Sequence, residues 1–169
     1  MPGFKTQVLF SPWEREDAEG RWVRCMEFSL VYKVDDIGSI ARQVIDYAGD
    51  VKVWLLIGEM GAGKTTLIKA VSRALGASGD FSSPTYALVN EYPLASEGAR
   101  IYHLDLYRLR SAEEAQDIGI EDYLLGGDYC FVEWPQLIQS LLREGEYITI
   151  HISSLSEYER KISIFKGET

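Results

Sequence analysis

Residues 58–66 of this 169-residue chain read GEMGAGKTT, and they constrain the fold more than any other stretch. From Gly58 to Thr65 they satisfy the pattern G-x-x-x-x-G-K-[ST]. The apolar run VWLLI (53–57) precedes them, and residues 64–76 carry apolar side chains at helical spacing. Because a glycine-rich loop between a buried strand and a helix is the setting in which this pattern binds phosphate, the sequence predicts a phosphate-binding loop.

The residue types in this loop suit a nucleotide and a divalent cation. Glycines let backbone N–H groups approach phosphate oxygens, and the start of the following helix adds the positive end of its dipole. In such loops the lysine, here Lys64, reaches the β and γ phosphates, and the hydroxyl of Thr65 ligates Mg²⁺. The predicted nucleotide contacts in this stretch are Glu59, Met60, Gly61, Ala62, Gly63, Lys64, Thr65 and Thr66.

Periodicity elsewhere predicts alternating helices and strands. Residues 35–50 have apolar side chains at i, i+3, i+4, i+7, i+8 and i+11 from Ile37, which is typical of an amphipathic helix ending at Gly49. We predict strands at 27–34, 51–57, 85–93, 100–109, 129–134, 147–153 and 160–165, and further helices at 64–76, 111–125 and 135–144. This order predicts an α/β fold: a P-loop NTPase-like open, mostly parallel sheet with helices on both faces.

Two predicted strands place a carboxylate near the loop. Asp105 lies in HLDLYR, on the same side of the strand as His103 and Tyr107, and Glu133 ends the apolar strand CFVEW. Carboxylates in apolar strands are costly unless they are paired or bind a metal, and ligands lie beyond the carboxyl ends of such strands. We predict that Thr65, Asp105 and Glu133 hold the metal and that the two carboxylates serve catalysis.

Each of these assignments has a structural alternative. Asp105 either serves the metal or caps a turn or pairs with Arg108, and Glu133 has a similar alternative. His103 is either a structural side chain or a hydrogen-bonding partner that orients Asp105. Trp134, which follows Glu133, stacks on the base, anchors a partner or packs in the core.

A third catalytic candidate lies in SSPTY (82–86), between the helix after the loop and the next strand. In many phosphate-loop enzymes this region senses the γ phosphate. Thr85 offers a hydroxyl to Mg²⁺ or to the attacking water, and Pro84 stiffens the approach. The alternative is a plain turn.

Charge and composition exclude several classes of protein. The net charge of −9 argues against a broad phosphate-binding face for nucleic acid, and it is compatible with docking onto a basic protein. No apolar run approaches the roughly 18 residues that span a bilayer, and the N-terminus lacks a signal-peptide pattern. The two cysteines, Cys25 and Cys130, do not form a metal-type pair. We expect a cytoplasmic protein without a membrane partner.

Residues 1–25 differ from the remainder of the chain. They show no clear period, contain an acidic cluster, and precede Met26 and a clean strand pattern. Two interpretations stand: either Met26 is the natural start, or residues 1–25 form a hairpin extension across the acidic turn. In both, residues 26–169 form a single P-loop ATPase domain.

Several motifs occur together in one order. GEMGAGKTT, SSPTYALVNEY, IYHLDLYRL, GIEDYL and FVEWP together resemble the TsaE family, formerly the YjeE family, over about residues 30–153. The phosphate loop is shared with many families, whereas the combination of S-P-T-Y, H-x-D-x-Y-R and V-E-W-P is highly specific. The 25-residue leader departs from the family pattern.

The resemblance implies the small ATPase of bacterial tRNA threonylcarbamoyladenosine biosynthesis, which binds ATP and Mg²⁺. Its implied partners are TsaD and TsaB, which transfer the threonylcarbamoyl group next to the anticodon, so it meets tRNA only indirectly. Hydrolysis, weak alone and stimulated by partners, resets the complex. The family pattern also implies that Asp105 and Glu133 serve the metal and catalysis, that Thr85 belongs to a switch segment, and that Trp134 lies beside the nucleotide.

Two other nucleotide functions compete with this one. A small-molecule kinase of the P-loop class usually carries a mobile lid rich in arginine, and the stretch YPLASEGAR (92–100) is too short and too poor in arginine to form one. A GTPase-type switch needs an N-K-x-D segment, yet the only asparagine, Asn90, lies in NEYP. A purely structural role leaves the phosphate loop unexplained.

Overall fold

The computed structural model describes residues 9–16, 22–79, 81, 84, 87–96, 98–143 and 145–167. The residues so described form eight strands: β1 (Leu9–Glu16), β2 (Trp22–Lys33), β3 (Val53–Ile57), β4 (Val89–Pro93), β5 (Arg100–Asp105), β6 (Tyr129–Glu133), β7 (Tyr147–Ser154) and β8 (Glu159–Gly167). The α-helices are α1 (Ile37–Ala48), α2 (Lys64–Ala74), α3 (Ala112–Asp117) and α4 (Ile120–Leu125). None of the helices in the described ranges is long and apolar enough to cross a membrane.

All eight strands form one sheet in the order β1-β2-β8-β7-β3-β6-β5-β4. The four central strands β7, β3, β6 and β5 are parallel, and the pairings on both sides of them are antiparallel. Parallel neighbours need a long crossover connection, whereas strands joined by a short turn run antiparallel, as β7 and β8 do across residues 155–158. The predicted P-loop-like open sheet is confirmed, with its parallel part at the centre.

Strand β3 contributes side chains to two hydrophobic cores, one on each face of the sheet. Trp54 and Leu56 join the cluster beneath α1 and α2, while Val53 and Leu55 join the cluster beneath α3 and α4. All four side chains are buried. A strand covered on both faces reads as a continuous apolar run, which explains VWLLI and confirms helices on both faces.

Two strands are shorter than predicted. The described part of β4 begins at Val89, and residues 82, 83, 85 and 86 lie outside the described residues. Strand β5 ends at Asp105, because the Asp105 carboxylate accepts a hydrogen bond from the backbone N–H of Tyr107 at 3.1 Å and so closes a turn. Tyr107 therefore lies in a turn and not on the strand.

The helix predicted for residues 135–144 is wrong. The chain forms two short 3₁₀ turns there, Pro135–Leu137 and Gln139–Leu141. Between them lies Ile138, with φ −117° and ψ −3°, and its side chain is fully buried in the cluster beneath α3 and α4. The segment buries this side chain without continuing as an α-helix.

The helix predicted for residues 111–125 is divided in two. Ser111 caps α3 as expected, its hydroxyl accepting from the backbone N–H of Glu114 at 3.4 Å. Gly119 then adopts φ +70°, a left-handed conformation that ends α3 and precedes α4.

The N-terminal segment reaches the sheet edge. β1 pairs with β2 from Leu9 opposite Ser29 to Glu16 opposite Trp22, and β2 continues along β8. The acidic turn at 17–21 lies outside the described residues. The division of the chain into an extension and a domain from Met26 stays a prediction.

Candidate nucleotide-binding site

The loop between β3 and α2 adopts backbone conformations that favour glycine. Gly61 has φ +78° and Gly63 has φ +110°, a region in which side chains are strained. At Gly58 the restriction is space, because an added Cβ would collide with the backbone carbonyl oxygen of Ile152 on β7. The loop is thus seated against the neighbouring strand.

Lys64 lies beneath this loop with its ammonium turned inward. Its Nζ donates to the carbonyl oxygens of Gly58 at 2.8 Å and Glu59 at 3.0 Å, and the residue is only 4% exposed. Burial lowers the pKa of Lys64, and the charges of Glu133 and Asp105 partly oppose that shift. The ammonium is therefore held close to the centre of the loop.

Thr65, the first residue after that lysine, contacts the acidic end of β6. Its hydroxyl donates to Oε1 of Glu133 at 2.6 Å. Glu133 is 3% exposed and lies directly opposite Asp105 in the register of β5 and β6. The three side chains predicted to hold the metal therefore lie at one edge of the sheet, as the carboxyl ends of adjacent parallel strands require.

Asp105 makes a structural hydrogen bond and also lines the candidate site. One carboxylate oxygen accepts from the N–H of Tyr107, so the turn-capping alternative describes part of its role. The side chain is half-buried and lines the same cleft as Thr65 and Glu133. A cap and a metal ligand are compatible, since a carboxylate has two oxygens.

His103 contacts Glu133 and not, as the sequence suggested, Asp105. Its Nε2 lies 2.9 Å from Oε1 of Glu133, and its Nδ1 lies 3.4 Å from the hydroxyl of Tyr92 on β4. The imidazole is fully buried. The predicted orienting function thus falls on the other carboxylate.

Trp134 has an unusual backbone and lies over the phosphate-loop lysine. Its φ of 59° and ψ of 56° are left-handed, a conformation that costs a non-glycine residue about 1–2 kcal/mol. The Nζ of Lys64 lies 4.1 Å from the centroid of its ring, and the ring of Tyr107 packs at 4.9 Å. Strain of this kind concentrates at functional sites. The half-buried indole therefore belongs to the site rather than to either hydrophobic core.

These side chains line an open cleft of about 420 Å³. Its lining residues are Met60, Gly61, Gly63, Lys64, Thr65, Thr66, Asp105, Tyr107, Arg108, Glu133 and Trp134. Two of the other predicted contacts differ from this set: Ala62 is buried, and Glu59 is exposed with its carbonyl turned to Lys64. Thr85 lies outside the described residues.

Two residues near the cleft were not singled out by sequence reasoning. The alternation of the predicted strand assigns Tyr107 a face but no contact, and no local sequence pattern predicts the turn that brings it against Trp134. Arg160, on β8, donates from Nε to the carbonyl oxygen of Ala62 at 3.1 Å. That contact spans 98 residues, so no local pattern could predict it.

The residues at this edge fit a magnesium nucleotide. A hydroxyl and two carboxylates are the oxygen ligands that Mg²⁺ accepts when phosphates and water complete its shell. Across the described ranges no cluster of three or more His, Cys, Asp or Glu side chains suits a metal held by protein alone. The donor set therefore favours a cation bound together with phosphate.

A phosphate loop after the central strand of a parallel sheet, with an acidic residue ending the adjacent strand, defines the P-loop class of fold. The sequence profile described as "Threonylcarbamoyl adenosine biosynthesis protein TsaE" matches residues 31–162. The chain belongs to the TsaE family. The predicted resemblance is therefore confirmed.

Individual relatives agree with the family assignment. The chain is 34% identical over 130 residues to the tRNA threonylcarbamoyladenosine biosynthesis protein TsaE of Bacillus subtilis, covering 76% of this chain and 78% of that protein. It is 44% identical over 93 residues to the Haemophilus influenzae protein of the same name, covering 55% of this chain and 58% of the relative, under two thirds of its length. The crystal structure of Bacillus subtilis YdiB is similar with a TM-score of 0.65 at 26% identity, covering 88% of this chain and 89% of that one.

Proposed function

We propose that this protein binds ATP with Mg²⁺ and hydrolyses it as the accessory component of the TsaD–TsaB complex, which makes threonylcarbamoyladenosine next to the anticodon of tRNAs. The observation that carries the proposal is the convergence of Lys64, Thr65, Asp105 and Glu133 in one cleft. The family places the protein in tRNA threonylcarbamoyladenosine biosynthesis. Contact with tRNA would be indirect, and the reaction would take place in the cytoplasm.

The loop supplies the phosphate contacts in this proposal. Backbone N–H groups from Glu59 to Thr66 would surround the β and γ phosphates. The positive φ angles of Gly61 and Gly63 let these N–H groups turn toward the phosphate oxygens. Lys64 exchanges its carbonyl contacts for phosphate oxygens and neutralises their charge. Trp134 and Tyr107 offer an aromatic surface beside the nucleotide.

Thr65, Asp105 and Glu133 would hold the cation, directly or through water. Bound Mg²⁺ supplies charge stabilisation to the transferring phosphoryl group. Glu133 and Asp105 are the candidates for orienting the attacking water, and Thr85 is the candidate for a switch contact with the γ phosphate. Glu133 is the better-oriented candidate, because it is buried and two hydrogen bonds fix the position of its carboxylate.

The open form of the cleft supports a role within a complex. Met60 is 73% exposed and Tyr107 is 56% exposed, both at its rim. A site that does not exclude water on its own should hydrolyse ATP slowly, and a partner that covers the rim should accelerate it. We expect TsaD with TsaB to supply that cover.

The alternative of a small-molecule kinase gains no support from the described residues. Pro93 on β4 pairs with Arg100 on β5, so only six residues join these two strands, which is too few for a lid. Faster phosphate transfer to an acceptor than to water, in a screen of small molecules, would favour the kinase.

The proposal is tested by measuring ATP hydrolysis with and without TsaD, TsaB and tRNA. We expect a weak rate alone and a clear increase with the complex. Glu133→Gln should lower the stimulated rate by about 100-fold or more while nucleotide binding persists. Glu121→Gln, at an exposed position on α4, is the matched control and should hydrolyse ATP normally. An absence of stimulation in every mixture would contradict the proposal.

A further inference from the structure

His103 is the one histidine that the fold buries completely, and it lies at the base of the candidate site. It sits on β5 between β4 and β6, and each ring nitrogen has a partner: Glu133 at 2.9 Å from Nε2 and Tyr92 at 3.4 Å from Nδ1. The chain's other histidine, His151, is exposed on β7. A buried imidazole with two polar partners is more than a space-filling side chain.

The partners determine which nitrogen carries the proton. A carboxylate oxygen only accepts, so the contact between Oε1 of Glu133 and Nε2 needs Nε2–H of His103 as its donor, while the same oxygen accepts from the Thr65 hydroxyl at 2.6 Å. In the tautomer with the proton on Nε2, Nδ1 accepts from the Tyr92 hydroxyl. The amide of Asn90 in turn donates to that hydroxyl at 3.3 Å. A chain of hydrogen bonds thus runs from β4 to the end of β6.

Both of these bonds on Glu133 fall on the same oxygen. The terminal torsion of a glutamate is broad, so a carboxylate with one weak contact samples many orientations. Two donors on Oε1, from α2 and from β5, restrict the carboxylate plane and leave Oε2 for the nucleotide side.

We propose that His103 is a positioning residue that holds the carboxylate of Glu133 by its Nε2–H donor, so that Oε2 is presented to the bound nucleotide. The inference rests on the proposed ATP hydrolysis for its kinetic consequence. Its structural content, the tautomer and the bond, stands on the geometry of His103, Glu133 and Tyr92 alone.

The first test is a ¹⁵N–¹H spectrum of the imidazoles in the nucleotide-free protein. The chain has two histidines, so His151→Gln identifies which signals belong to His103. We expect the proton of His103 on Nε2 and an unprotonated Nδ1, with the Nε2 signal shifted by Glu133→Gln. A proton on Nδ1 alone would overturn the inference.

The second test compares two amides at this position. The side-chain nitrogen of His103→Gln reaches the place of Nε2 and keeps a donor for Glu133, whereas that of His103→Asn reaches the place of Nδ1. We expect kcat to fall about 10- to 100-fold with asparagine and to recover to within about fivefold with glutamine, while the nucleotide Kd changes less than about threefold. Equal losses in both variants, or an equal loss in affinity, would contradict a positioning role.

Failure of this inference is distinguishable from failure of the proposed function. If the wild-type protein hydrolyses no ATP with TsaD and TsaB, the proposed function fails and the imidazole spectrum still decides on His103. If the position-103 variants do not fold, Tyr92→Phe keeps the ring packing against Phe81 and removes only the hydroxyl. It should shift the Nδ1 signal of His103 and lower kcat relative to the wild-type protein with little change in nucleotide Kd, and an unchanged spectrum together with an unchanged kcat would overturn the inference.

Discussion

The hydroxyl of Thr65 donates a hydrogen bond to Oε1 of Glu133 at 2.6 Å, which joins the first turn of α2 to the end of β6. The two residues are 68 positions apart in the sequence. In the proposed function the same pair serves Mg²⁺, so this bond orders the hydroxyl and the carboxylate before the cation and ATP bind. Substitutions at Thr65 should therefore affect both this bond and the binding of Mg²⁺ with ATP.

Replacement of Thr65 separates the hydroxyl from the shape of the side chain. Thr65→Val removes the donor and the proposed metal ligand at nearly constant volume, and Thr65→Ser keeps the hydroxyl. We expect valine to abolish the gain in nucleotide affinity that Mg²⁺ provides, a loss of about tenfold or ~1.4 kcal/mol, and serine to retain most of it. Titration of a fluorescent ATP analogue with and without Mg²⁺ measures this difference. Equal behaviour of the two variants would argue against a role for the hydroxyl.

Arg160 braces the phosphate loop from β8. Its Nε donates to the carbonyl oxygen of Ala62, and its Nη1 donates to the carbonyl oxygens of Ser156, in the turn before β8, at 2.8 Å and of Glu159, the first residue of β8, at 3.0 Å. We expect Arg160→Ala to weaken binding of the nucleotide about three- to tenfold, because the loop carbonyl loses a charged donor. Isothermal titration of ATP analogues provides the measurement.

Arg160→Lys and Arg42→Ala are the controls for this prediction. Lysine keeps the charge but cannot span the loop and the turn with one planar fork, so it should recover only part of the affinity. Arg42 is exposed on α1 and its loss should leave affinity unchanged. Full recovery by lysine would show that charge alone, without the geometry of the fork, supports the loop.

Gly58 should tolerate no side chain. A Cβ at this position meets the carbonyl oxygen of Ile152, and backbone of a central strand cannot yield cheaply. We expect Gly58→Ala to lower the free energy of unfolding by about 2 kcal/mol or more and to displace the loop. Gly38→Ala is the matched control, because Gly38 lies in α1 with nothing near its added Cβ, and it should stabilise by about 0.5–1 kcal/mol. Urea unfolding of both variants gives the comparison, and similar values would contradict the steric argument.

Stability should decline in alkaline solution because two buried acids resist ionisation. Burial raises the pKa of Cys130 from 9.0 to about 12, and burial raises the pKa of Tyr32 from 10.0 to about 12 against the opposing charge of Arg160. Above pH 9 the unfolded chain releases the thiol proton while the folded chain keeps it. Stability is therefore full below pH 9 and falls as pH rises toward 12, by about 1.4 kcal/mol per pH unit for each group.

The measurement is urea unfolding under reducing conditions at about pH 8, 9.5 and 10.5, which lie below and within the range where stability should fall. Cys130→Ala should lower stability at pH 8 through lost packing and should flatten the decline above pH 9. Tyr32→Phe should flatten it only above pH 10. Slopes parallel to that of the wild-type protein would show that neither group ionises on unfolding in this range.

The predictions agree with the structure where local sequence determines the conformation, and they differ where contacts between distant parts of the chain determine it. Residues 37–48 formed the expected helix because their apolar stripe is a local pattern that suits any core, and Ser111 capped α3 for a similarly local reason. Residues 135–144 carried a helical signal, but residues 135–141 form two 3₁₀ turns that follow the left-handed Trp134 and bury Ile138. The strands against which this segment packs lie elsewhere in the chain, so the segment's own sequence does not reveal these contacts.

The candidate site shows the same division. The sequence by itself determined the phosphate loop, its lysine and hydroxyl, and the two acidic strand ends, because residue type and local spacing define those features. Only the tertiary structure decided that His103 bonds Glu133 instead of Asp105, that Trp134 covers Lys64, and that Arg160 reaches the loop. The physical reason is that strand order and register set these contacts, and the sheet places β3 between β6 and β7 although the chain visits them far apart.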